Sequence, residues 1–352
     1  MPIDIYKKPA RFFENDPSGK VRCTLCPHRC LIAEGGDGIC GTRTVENGIL
    51  YAVNYGLVVS ASIDPIEKKP LYHFHPGSQT LSFGGLGCNM ACPHCQNASI
   101  SCPKISKLSD SEIDSWTGGN VTTPEDVLET ALARTVGGVS FTYNEPSIWH
   151  EWALDVSKLL KKNGMYTVYV TNAYIEEQTL DEIGPYLDAY AADLKGWGDD
   201  FHRKFSKVND WEKILHAIDR AKNVHGMHVE VTTNVVPGFN DDEETFRSIA
   251  KWIYEKLGPL NVWHLSRFIP QHKLGHLEAT PVETLLEAKR IGHEIGLKHI
   301  FLGNVRGHPE VENTFCPGCG MEIIKRSGYH TRITGLDGEK CAKCGAETGI
   351  VR

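Results

Sequence analysis

From about residue 80 to about residue 305, strand-like runs alternate with amphipathic helical segments. That alternation restricts the fold more than any other feature. The strand-like runs are "TLSFGG" (80–85), "GVSFTY" (138–143), "MYTVYVT" (165–171), "AYAADLK" (189–195), "HVEVTTNVV" (228–236), "NVWHLSRF" (261–268) and "KHIFLGN" (298–304). β-Branched and aromatic residues carry that signal. Helical segments with clear start signals lie between them. "TTPEDVLETALARTV" offers Thr123 as N-cap and Pro124 at the first helical position. "TPVETLLEAKRIGHEIG" repeats the grammar and stops at Gly296. "DDEETFRSIAKWIYEKLG" puts its acids at the positive end of the helix dipole. Six or seven such alternations mean parallel β/α units: a full or partial β/α barrel, or a doubly wound sheet.

Outside this core the texture changes. Residues 1–75 read as a small module, β-rich and cysteine-rich from residue 21. Residues 76–305 form the core, and 306–352 a short cysteine-bearing tail. The chain of 352 residues is 41% hydrophobic and 23% charged, as a soluble globular protein is. A formal net charge of −7 disfavours a broad nucleic-acid surface. No apolar run approaches a membrane span, and "MPIDIYKKPARFFENDPSG" carries charges where a signal peptide needs an apolar core. The expected location is cytoplasmic.

The 12 cysteines fall into groups: Cys23, Cys26, Cys30 and Cys40; then Cys88, Cys92 and Cys95; then Cys316, Cys319, Cys341 and Cys344, with Cys102 alone. Thiols concentrated in Cys-x2-Cys pairs point to metal binding in a reducing compartment rather than to disulfides. Cys102, without a partner group, is expected to be a buried small residue.

The middle group, "GLGCNMACPHCQN", follows the first core strand directly, with Gly84, Gly85 and Gly87 allowing a tight turn. In β/α barrels such loops build the active site. Three thiolates can hold three irons of a [4Fe-4S] cluster and leave the fourth open, and an open metal position marks a reactive site. The alternatives are a cluster completed by Cys102 or a zinc ion completed by His94. The Cys-x3-Cys-x2-Cys spacing in this strand context resembles the radical S-adenosylmethionine superfamily. There the vacancy is filled by the amino and carboxylate groups of the cofactor, whose reductive cleavage yields a 5′-deoxyadenosyl radical. The superfamily's aromatic residue before the third cysteine is His94 here, whose imidazole can stack on adenine.

Further segments narrow the resemblance: "DPIEKKPLYHFHPG" (64–77), "TYNEP" (142–146), "VTN" (170–172), "DLKG" (193–196) and "VTTNVVPGFND" (231–241), in this order. With the flanking cysteines they look like the radical enzyme of the AmmeMemoRadiSam system, related to pyruvate formate-lyase activating enzymes. The resemblance implies a partial, open parallel (β/α)6-type barrel. It also implies a flavodoxin- or ferredoxin-like reductant and an association with Memo-like and Ammecr-like proteins. By the same resemblance Asn144 and Glu145 receive the cofactor's amino group. Asn172, Asp193 and Lys195 contact its ribose and carboxylate ends, and Asn234 sits beside the adenosyl group. A solvated Glu145 at a helix start is the alternative. His264 and Arg267 are candidates for substrate or cofactor carboxylate, or else face solvent. His73 and His75 read as packed or hydrogen-bonded histidines. Trp149 and Trp152 read as packing on the barrel exterior.

"FCPGCG" and "KCAKCG", two Cys-x2-Cys-Gly knuckles, form a zinc-ribbon pattern, with a rubredoxin-type iron as runner-up. "CTLCPHRCLIAEGGDGIC" closes one zinc site or one iron–sulfur cluster, zinc being slightly favoured, and His28 is a substitute ligand. The expected function is radical hydrogen abstraction from an unidentified substrate. Its variant is a glycyl radical enzyme activase. The reading from another class is a non-catalytic iron–sulfur or zinc protein.

Overall fold

A computed structural model describes residues 2–305 and 311–352. The boundary expected at residue 306 lies against residues outside that description. Eight strands form the central sheet: β1 (Ser60–Pro65), β2 (Gln79–Gly84), β3 (Gly138–Phe141), β4 (Tyr166–Thr171), β5 (Ala189–Asp193), β6 (His228–Val235), β7 (Val262–Arg267) and β8 (His299–Gly303). They lie side by side in chain order. β2 to β8 are all parallel, in register from Thr80 beside Gly138 to Ser266 beside Gly303. All seven expected strands are present, each within a residue or two of its expected ends. β1 adds an antiparallel edge, Ser60 facing Gly84 and Pro65 facing Gln79. The sequence reading does not place it in the core sheet: its exposed run is Ala61, Ser62 and Ile63, and it closes on a proline.

The helices form as their caps dictate. Thr123 Oγ1 accepts the Asp126 N–H while the Asp126 carboxylate accepts from Thr123, and Pro124 opens α1 (Pro124–Ala133). α2 spans His150–Lys162, α3 Glu177–Ile183 and α4 Glu212–Asn223. α5 (Glu243–Trp252) starts with Asp242 accepting from Thr245 N–H. α6 (Val282–Ile295) ends at Gly296 in a left-handed conformation that a side chain would strain. One detail differs from expectation: Thr280 does not cap α6. Its hydroxyl donates to the Val235 carbonyl and accepts from Phe268 N–H, stitching the ends of β6 and β7 instead.

Strand alternation gives the sheet two faces. Leu81, Phe83, Val139, Phe141, Val229, Val231, Trp263 and Leu265 pack under the helices in the main core. There Trp149 and Trp152 stack at 4.1 Å, and Trp152 meets Phe83 and Phe141 edge-on, as expected of an exterior layer. The opposite, inner face is plugged near the strand starts. Ile66, Leu71 and Phe74 pack against Tyr166, Val168, Ala189 and Ala191.

Both cysteine-bearing flanks touch this framework. Short antiparallel pairs from residues 8–52 pack around Val21, Leu25, Ile32 and Val45 together with Ile148. The C-terminal hairpin Glu322–Ser327 with His330–Ile333 docks at the plugged end. Val351 N–H donates to the His73 carbonyl, and His75 N–H donates to the Val351 carbonyl, both at 2.8 Å. Buried Arg326 donates to the Tyr72 carbonyl at 2.6 Å and to Thr314 Oγ1 at 2.8 Å.

Candidate cofactor site at the strand ends

The loop after β2 carries Cys88, Cys92 and Cys95, all half-buried. Its backbone is held rather than free. Asn144, just past β3, donates Nδ2 to the Gly87 carbonyl at 2.9 Å and accepts the Gly85 N–H at 3.1 Å. Asn97 donates to the Tyr143 carbonyl and Lys273 N–H to the Pro93 carbonyl. Gly87 has φ +85°, and a Cβ there would stand 2.4 Å from the Cys40 carbonyl, so only glycine permits this approach. Tyr143 (φ 73°) and Ala173 (φ 59°), just beyond β3 and β4, are non-glycine residues in the left-handed region. Such strain clusters where a site over-determines the backbone.

Three strand ends supply polar groups to this loop. Glu145 is 1% exposed, which removes the solvated alternative. Its carboxylate accepts Ser147 N–H at 2.9 Å, Thr171 Oγ1–H at 2.7 Å and Asn172 N–H at 2.8 Å. Burial pushes its pKa up against those donors. Asn172 directs Nδ2 to Asn89 Oδ1 at 2.9 Å and to Cys88 Sγ at 3.7 Å. Past β5, Lys195 donates to Asp193 Oδ2, while Asp193 Oδ1 is buried without a partner. Burial alone would lower the Lys195 value, but Asp193 and the Cys92 thiolate together raise it. Burial pushes the Cys92 thiol up to about 11, with Lys195 opposing, and the Cys88 thiol well above its ordinary value, with Glu145 adding to it. Buried thiols of this kind ionise at neutral pH only beside a cation, which is what a metal supplies.

His94 stacks on Phe205 at 4.8 Å, its Nδ1 without a partner, and burial holds its imidazole down to about 3. Asn234 donates to the Ser266 carbonyl at 3.3 Å on the inner face of β6. His264 and Arg267 are committed elsewhere. His264 Nε2 donates to Glu230 Oε2 at 2.6 Å, its ring against Tyr72 and Phe301. Arg267 Nε donates to the Thr280 carbonyl at 2.6 Å. His73, fully buried, faces Thr314 Oγ1, and His75 stacks on Tyr166, so both are packed histidines. Cys102 is exposed, against expectation, because it caps the short surface helix Ala98–Ser101. Sequence reading missed Asn89, Thr171, Phe205 and Glu230. Asn89 lies inside the cysteine motif, but nothing in the spacing marks its side chain as structural.

Among the described residues, the C-terminal cysteines alone gather metal-ligating atoms within 4.8 Å of one another. Cys316 and Cys344 sulfurs are 3.5 Å apart, and those of Cys319 and Cys341 3.7 Å. Four sulfurs around one ion at about 2.3 Å would stand about 3.8 Å apart. Gly320 and Gly345 turn with positive φ, as knuckle glycines must. Neither Cys88, Cys92 and Cys95 with His94, nor the N-terminal four, gather so closely. The His94-completed zinc site therefore has no support in the arrangement.

The sequence model of the Radical SAM superfamily matches residues 84–253, the stretch that carries this loop and the strand ends around it. The chain belongs to the radical SAM superfamily. An uncharacterized protein of Methanocaldococcus jannaschii is 41% identical over 97% of this chain and 99% of its own length. The pyruvate formate-lyase-activating enzyme of Clostridium pasteurianum is 26% identical over 62% of this chain and 85% of its own. A radical SAM methyltransferase from Sphaerobacter thermophilus shares the fold, with TM-score 0.51, 14% identity and coverage of 86% of this chain and 78% of that one. The radical SAM superfamily implies a [4Fe-4S] cluster and S-adenosylmethionine, and the site fits both. It offers three half-buried thiols, the cation of Lys195, the unpartnered Asp193 oxygen, and the buried unpartnered hydroxyls of Ser82 and Thr232 on the inner face.

Proposed function

We propose that the chain is a radical S-adenosylmethionine enzyme that takes hydrogen from an unactivated C–H position of its substrate. The observation carrying this reading is the three-thiol loop ringed by Asn172, Asp193 and Lys195 at adjacent strand ends. Cys88, Cys92 and Cys95 would hold three irons and leave the fourth to the cofactor. When bound, cluster and cofactor together supply a 5′-deoxyadenosyl radical. Asn172 Nδ2, 3.7 Å from Cys88 Sγ, would steady the charge of that thiolate with a cluster in place. Lys195 offers its ammonium to the cofactor carboxylate and the free Asp193 oxygen accepts a hydroxyl or amine. His94, backed by Phe205, presents its ring to adenine, with Asn234 beside the adenosyl group. Asn144 and Glu145, whose polar atoms are already engaged, act as positioning residues for the loop and for Asn172.

The finer parts of the reading rest on the sequence and on the resemblance of its segments. The sheet with its two unjoined edges curls as a partial barrel. Residues 1–75, 76–305 and 306–352 serve as iron–sulfur or zinc module, radical core and zinc ribbon. The chain works in the cytoplasm with a flavodoxin- or ferredoxin-like reductant. It does so within an AmmeMemoRadiSam set alongside Memo-like and Ammecr-like proteins. A second reading is favoured by similarity to proteins named as activating enzymes, at 25–27% identity: the hydrogen would come from a glycine of a partner enzyme. A glycyl radical signal on a partner protein would select it.

The test is EPR of the anaerobically reduced protein with and without S-adenosylmethionine. A [4Fe-4S] signal that shifts on cofactor addition and is lost in Cys92→Ala is expected. Lys195→Ala should keep the signal but need about tenfold more cofactor to shift it, about 1.4 kcal/mol. A spectrum in which no [4Fe-4S] signal responds to the cofactor would overturn the reading.

A further inference from the structure

Cys23, Cys26, Cys30 and Cys40 lie outside the site described above, yet they face one another across a small enclosed cavity that Arg43 and Asn89 also line. Their spacing separates the two metals that four thiolates could hold. A single zinc ion draws its sulfurs to about 3.8 Å, as the C-terminal four already stand. No three of the N-terminal sulfurs lie within 4.8 Å of one another. A cubane spreads its thiolates over separate iron corners and needs that wider frame. The three-cysteine loop is spread in the same way.

A second observation points to the same occupant. Arg43 is 1% exposed, and its Nε is buried with no partner, although Nη2 donates to Glu151 at 2.8 Å. A cation with spare donor capacity in the wall suits an anionic thiolate-ligated cluster. The cavity also shares its wall with the reactive loop. The Cys40 carbonyl lies against Gly87, and His28 Nε2 donates to the Asn89 carbonyl at 2.7 Å. That bond ties His28 Nε2 to the loop while its side chain also lines the cavity.

We propose that Cys23, Cys26, Cys30 and Cys40 hold a second, fully ligated [4Fe-4S] cluster that abuts the three-cysteine loop. Full ligation leaves no open iron, so this cluster binds no substrate or cofactor. Its place beside a reactive cluster rests on the proposed function above, whereas its metal content does not.

The experiment is iron, sulfide and zinc analysis with Mössbauer spectroscopy on the full chain after anaerobic reconstitution. It compares the unmodified protein, the Cys88→Ala/Cys92→Ala/Cys95→Ala variant and the Cys26→Ala/Cys30→Ala variant. About eight irons per chain are expected in the first and about four in each variant, with zinc constant at about one. A loop variant that holds no iron overturns the proposal, whatever its zinc content. Should the Cys26→Ala/Cys30→Ala protein fail to fold, the loop variant alone decides. Failure of the radical reading looks different: about four irons in the unmodified protein, all retained by the loop variant.

Discussion

Asn89 should hold the reactive loop to the end of β4, and truncating it measures that grip. Its side chain is 1% exposed, donating to the Tyr174 carbonyl at 2.7 Å and accepting from Asn172 Nδ2 at 2.9 Å. Asn89→Ala leaves both partners buried and unmatched. Each orphaned group costs about 1–3 kcal/mol, and about 3 kcal/mol in total, in the lower half of the summed range, is the expectation. Unfolding entropy of about 2.1 cal/mol/K per residue, over 352 residues, converts that to a fall in Tm of about 4 °C. Asn172→Ala removes the other side of the same bond together with the contact to Cys88. The double variant should therefore lose less than the sum of the singles, by about 1–3 kcal/mol of coupling. The assay is anaerobic thermal unfolding of the four proteins with their metals in place. Additivity within about 0.5 kcal/mol, or a fall for Asn89→Ala under about 1 °C, would refute the reasoning. The loop would then be held by its backbone bonds and its metal alone.

Two further outcomes follow from groups away from the loop. Burial works against ionised Glu230, yet hydrogen bonds from His228 and His264 hold its carboxyl well below the usual range. A depressed acid stabilises above its unfolded pKa, about 4.3, and that stability is lost as pH falls through the folded value. Glu230→Gln should therefore cost about 3 kcal/mol at pH 7, with a gap to the unmodified protein that narrows in acid; thermal unfolding at pH 7 and pH 4 checks this. Cys319→Ala should release one metal ion per chain and speed amide exchange at His75 and Val351, read by exchange mass spectrometry. Unchanged protection at Val351 would mean that the docking is independent of the metal.

The strand–helix order was legible because parallel strands covered on both faces read as apolar runs, and their ends fall within a residue or two of where sequence places them. The three-cysteine loop was legible because ligand spacing is local. What escaped was settled by partners distant in the chain. His264 alternates with apolar neighbours just as a solvent- or ligand-facing residue would, but its Glu230 partner stands 34 positions earlier on the adjacent strand. Glu145 follows a strand and precedes a proline, which reads as an exposed helix start, yet Thr171 and Asn172 from the next strand consume its carboxylate. Thr280 has the chemistry of an N-cap and spends it on Val235. Zinc against iron–sulfur at Cys23 to Cys40 is a question of sulfur separation, which a count of intervening residues does not encode.

The seam between the C-terminal hairpin and the segment before β2 also bears on how the chain completes itself. Arg326 meets the Tyr72 carbonyl across 254 positions of sequence, and Val351 donates to His73 and accepts from His75 along the same strip. Contacts so far apart in sequence close late, after the local β/α units have formed. Until they close, Tyr72, His73 and Phe74 lack the neighbours that cover them on the sheet's inner face. The hairpin can offer those neighbours only once its own small core around Ile323, Ile324 and Ile350 is set, and three of the four thiols, Cys316, Cys319 and Cys341, belong to that core. Metal capture by Cys316, Cys319, Cys341 and Cys344 would then work as the keystone of the assembly. A shortage of that metal would show first as sluggish maturation of the whole chain, with the reactive loop's own iron untouched.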